Sequence, residues 1–66
     1  MMDNRERLAR FEAVLADLAA ENALVLQQLE SLRAQGKVKT ATYQQLTARK
    51  LALRSTLALF EERGLL

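Results

Sequence analysis

The chain contains no cysteine, no histidine and no proline, and only two glycines. Without cysteine there can be no disulfide framework, and without cysteine and histidine together the usual zinc ligands are missing. The lack of histidine also removes the commonest general base. The hydroxyls of Ser31, Ser55, Thr40, Thr42, Thr47, Thr56 and Tyr43 therefore have no obvious group to activate them as nucleophiles. Glu61 and Glu62 are neighbours near a helix end and read as a solvated pair rather than an acid/base couple. Gly36 stands alone, so there is no glycine-rich phosphate loop. No enzyme activity, cofactor or metal is expected.

Long apolar runs are missing too. No uncharged stretch approaches the roughly 18 residues of a membrane span. The segment Met1-Met2-Asp3-Asn4-Arg5-Glu6-Arg7 lacks the apolar core and small-residue cleavage site of a secretory leader. With the absence of cysteine, this points to a reducing cytoplasm and away from a membrane. A membrane-surface helix would carry Lys/Arg on its polar face, whereas the N-terminal half of this chain is net acidic.

What is present is helix-forming sequence with a regular stripe. Leu8, Phe11, Leu15, Leu18, Asn22, Val25, Leu29 and Leu32 follow one another in steps of three and four, the spacing of one helix face. Asp3 and Glu6 have roughly the spacing of a capping box, and Gly36 is suited to the left-handed residue that ends a helix. A first helix over about residues 4–35 follows. The turn, 36–40, is short enough to force the next helix to lie antiparallel, with Val38 tucked under the end of the hairpin. The second helix begins after Thr40 or Thr42 and runs to about residue 63, before Gly64. Phe60 and Leu65 then occupy the positions that touch in a Schellman cap.

The second helix has its own stripe: Tyr43, Leu46, Lys50, Leu53, Leu57 and Phe60. Folding about Val38 places Leu32 near Tyr43, Leu29 near Leu46, Leu18 near Leu57 and Leu15 near Phe60. The two polar members, Asn22 and Lys50, then fall at one level, with the Lys50 charge meeting Glu21 or water and the Asn22 amide bonded within the bundle. A polar residue in such a stripe fixes register at some cost in stability. A further apolar face, with Leu51 and Leu59 among small residues such as Ala48 and Ala52, lies opposite Leu46, and a helix apolar on two faces is buried on two faces.

Sixty-six residues form one domain, small for a single stable core without staples. With no disulfide or metal available, association is the remaining route. The expected fold is an all-α antiparallel two-helix hairpin, coiled-coil-like, self-associating into a four-helix bundle, most simply as a homodimer. Phe11, Leu15, Leu18, Asn22, Val25, Leu29, Leu46, Leu51, Leu53, Leu57, Leu59 and Phe60 are the expected core and interface. The size and topology resemble those of the Rop family of small RNA-binding plasmid regulators, without a shared motif that would carry the RNA-binding residues over.

Charge is unevenly distributed although the net is only +2. Arg33, Lys37, Lys39, Arg49, Lys50 and Arg54 lie between Ser31 and Phe60 with no acidic residue among them, while the first 30 residues hold six acids. Two readings follow. The basic turn and second helix could bind a phosphate backbone through Lys37, Lys39, Arg49, Lys50 and Arg54. Alternatively, the acidic first helix pairs with the basic second across the flanks of the core. The stretch from Tyr43 to Leu57 resembles a helix-turn-helix, and its continuation to Leu66 resembles the end of a recognition helix entering the wing of a winged-helix regulator. Ala52 stands where that turn wants glycine, and helix formers run straight through it, so one continuous helix is expected. The leading function is a non-enzymatic protein–protein interaction or assembly module, with itself or another protein as partner. The alternative is a small nucleic-acid-binding regulator.

Overall fold

The computed structural model describes residues 3–66. Met1 and Met2, which belong to the segment read above for a leader, lie outside the described residues. The chain forms two helices, α1 (Asn4–Ala34) and α2 (Ala41–Glu62), packed against each other as a hairpin. Its extents are 49 × 20 × 16 Å, the length of α1 by the width of two helices.

Each helix end is closed by local chemistry. The Asp3 carboxylate accepts the Glu6 backbone N–H at 2.8 Å, so Asp3 caps α1. At the other end the Lys37 N–H reaches the Leu32 carbonyl at 2.8 Å and the Gly36 N–H the Arg33 carbonyl at 3.0 Å. These are the two bonds of a Schellman motif, and Gly36 takes the left-handed φ of 71° that it requires. The same pair recurs after α2, from Leu65 to Phe60 and from Gly64 to Glu61, with Gly64 at φ 72°. Both glycines are thus spent on stopping helices.

Thr40, not Thr42, caps α2. Its hydroxyl accepts the Tyr43 N–H at 3.1 Å and donates to the Lys37 carbonyl at 2.9 Å, tying cap and turn together. Backbone bonds and the Thr40 hydroxyl therefore close the turn, and no apolar side chain is needed to fill it. Val38, expected to tuck under the hairpin, is instead 41% exposed. Helix α2 continues unbroken through Ala52, so the segment that resembles a helix-turn-helix contains no turn.

The core is small and lies towards the turn. Val25, Leu29 and Leu53 are buried, with Leu18, Tyr43 and Leu46 packed around them. At the open end the rings of Phe11 and Phe60 meet edge to face, with centroids 5.5 Å apart. Phe60 thus makes its aromatic contact one turn N-terminal of Leu15, the partner expected from the register. Phe11 remains 36% exposed, because a two-helix hairpin offers nothing to cover its outer side.

Candidate functional site

Successive helical residues are 100° apart, so two neighbours can straddle a core stripe and face opposite flanks. This happens at the middle of both helices. Glu21 and Arg49 meet across one flank, where the carboxylate accepts from Arg49 Nε at 2.6 Å and from Nη2 at 2.8 Å. Their neighbours Asn22 and Lys50 face the other flank and line one groove of about 520 Å³. Lys50 was expected to meet Glu21 or water; Glu21 pairs with Arg49 instead, and Lys50 faces the open groove. The two polar members of the stripes do share a level, but among the described residues no hydrogen bond joins them or engages the Asn22 amide within the chain.

The bidentate bond to Arg49 holds the Glu21 carboxyl below the usual carboxylate range, against a smaller opposing effect of desolvation. The Glu21 bond likewise raises the already high Arg49 value. Near the turn, Arg33 donates to the Tyr43 hydroxyl at 3.3 Å and to Glu30 at 2.9 Å. The tyrosine bond, ahead of the carboxylate, raises the Arg33 guanidinium further.

The residues expected at the core and interface divide into three groups. Val25, Leu29 and Leu53 are buried. Leu15, Leu18, Asn22, Leu46, Leu57 and Phe60 are half-buried along the open sides of the seam, while Phe11 is more exposed. Leu51 and Leu59 are exposed, on the face of α2 turned away from α1. Leu26 and Leu66 line the groove with Leu57 and Ala58 and are themselves largely exposed, a grouping the two stripes did not identify. The overlooked signal was Leu26: it lies four residues after Asn22 and one off the stripe, on the groove side.

The basic residues do not form one strip. Lys37 and Lys39 are exposed at the turn, Arg49 is engaged with Glu21, and Lys50 and Arg54 line the groove on the opposite flank. Several hydroxyls have structural partners: Thr47 and Thr56 donate to the carbonyls four residues back, and Ser31 accepts from Gln35. Among the described residues no three His, Cys, Asp or Glu side chains gather as a metal ion would need, and no helix is long and apolar enough to cross a membrane.

No family model matches the chain, and no curated protein or solved structure is detectably similar to it.

Proposed function

We propose that the chain is a non-enzymatic assembly module whose hairpins associate into a homo-oligomeric helical bundle, the simplest being a dimer of four helices. One observation carries the reading: among the described residues only three are buried, while Leu8, Val14, Leu24, Leu26, Leu51, Leu59 and other large apolar side chains stand exposed. The surface of 5382 Å² exceeds by on the order of 1,000 Å² what a compact monomer of this mass would expose. A standard interface covers about 800 Å² per partner. A second copy seated on one flank would hide part of this apolar surface and enlarge the core.

Sedimentation equilibrium at micromolar concentration tests this. The expected result is a species of at least twice 7.4 kDa; a folded monomer throughout the range overturns it. A salt titration against generic DNA and RNA addresses nucleic-acid binding in the same samples. Phosphate contacts give an affinity that falls steeply with salt, and an assembly module gives no such binding.

A further inference from the structure

We infer that the surface by which a second copy docks is the groove flank opposite the Glu21–Arg49 pair, and that the two copies meet about a two-fold axis with both helices antiparallel to their equivalents. The inference rests on the self-association proposed above and specifies its geometry.

A two-fold interface must be complementary to itself: if residue i meets residue j of the partner, j must also meet i. On the groove side of α2 lie Arg54 and Glu61, seven residues apart and so pointing the same way. Both are exposed, and neither has an ion-pair partner among the described residues. An antiparallel α2–α2 contact centred between Leu57 and Ala58 lays Arg54 of each copy against Glu61 of the other. It also places a small residue, Ala58, at the crossing, where close approach is needed.

Helix α1 carries exposed apolar residues on the same flank. Leu8 and Leu26, 56% and 47% exposed, share one helical direction, and Leu26 lines the groove. The cross-links Phe11–Phe60 and Glu21–Arg49 set Leu57 level with about residue 13 of α1, so an axis centred on α2 there crosses α1 near Ala13. That axis sets Leu8 of each copy near Ala19 of the other. The other face-to-face arrangement, α2 over the partner's α1, would keep these levels and set Lys50 against the uncharged Asn22. On the opposite flank the central charges are already consumed by the Glu21–Arg49 bond.

The test is charge reversal with the full chain. Arg54→Glu alone and Glu61→Arg alone each place two like-charged pairs across the axis. Each should raise the dimer dissociation constant by about tenfold at low ionic strength. Mixed one to one, the two variants should form a heterodimer of near wild-type affinity, because both contacts are again of opposite sign. Circular dichroism checks that each variant is helical. A second arm uses the absence of cysteine: Ala58→Cys should oxidise rapidly to a disulfide-linked dimer, whereas Ala48→Cys on the outer face of α2 should not. If wild type dimerises but the variants associate like wild type without preferring each other, and Ala48→Cys cross-links in place of Ala58→Cys, the docking surface is wrong while self-association stands. A monomeric wild type overturns both.

Discussion

Arg49 holds Glu21 through two hydrogen bonds on one flank of the hairpin, and its chain neighbour Lys50 lies with Asn22 on the other. The two flanks are thereby made chemically unlike. One is closed by a bidentate ion pair; the other is an open groove lined by apolar and charged side chains alike.

The closed flank should make stability depend on acid. The Glu21 carboxyl is held below its ordinary range in the folded chain, so the pair's contribution is fully present above the ordinary carboxylate value of about 4.3. It is lost as pH falls through the depressed value, Arg49 remaining charged throughout. Glu21→Gln should therefore lower Tm at pH 7, and the gap from wild type should close well below the usual carboxylate range. A gap that persists in acid would assign the effect to something other than the ion pair. Both side chains are substantially exposed, so added salt should also narrow the gap at pH 7.

Leucines two residues apart on α2 should respond very differently to truncation. Leu53 is 1% exposed and sits at the centre of the core; Leu53→Ala should cost about 2–5 kcal/mol in denaturant unfolding. Leu51 is 53% exposed, and Leu51→Ala should stay within about 0.5 kcal/mol. A large, concentration-dependent loss for Leu51→Ala would show that the outer face of α2 is covered in the assembly.

The start of α2 gives a sharper contrast. Thr40→Ala removes the cap bond to Tyr43 and the bond to the Lys37 carbonyl, and should cost about 1 kcal/mol. Thr42→Ala, in the first turn and exposed, should cost less than about half of that. Thermal unfolding of the two variants side by side decides it, and equal losses would contradict the cap assignment.

Asn22 and Lys50 occupy stripe positions where leucine would pack, yet they line the groove. Replacing both by leucine should raise Tm and broaden the oligomeric state seen by light scattering, since an apolar layer permits more than one packing. A less stable protein of unchanged oligomeric state would mean that the two polar groups serve a contact other than register.

The helical hairpin was legible from the sequence because few alternatives fit. An unbroken three–four stripe, two glycines and no proline leave little besides two helices and one turn. Val25, Leu29 and Leu53 could be read as core from the same stripe. The flanks could not. In an antiparallel pair a one-residue error in register rotates the facing side chain by 100°, and arginine is long enough to reach diagonally. That is why Glu21 meets Arg49 rather than Lys50, for which Glu21 or water was the expected contact. The choice between Thr40 and Thr42 was also hidden, since both are good caps; the Thr40 bond back to Lys37 arises only once the turn has closed. The groove escaped notice because Leu26 belongs to neither stripe.

The helices are unequal, 31 residues against 22, so α1 outruns its partner by about 13 Å at 1.5 Å per residue. Its first turns have no helix beside them, and a free helix of so few turns is marginal in water. The buried side chains lie towards the opposite, turn-proximal end. Opening should therefore be graded along the hairpin rather than all-or-none: backbone amides near Arg7 should exchange with solvent fastest, those around Leu29 and Leu53 slowest. A partner that covered Leu8 would clamp the fast-exchanging end, making assembly and the ordering of that end a single linked equilibrium.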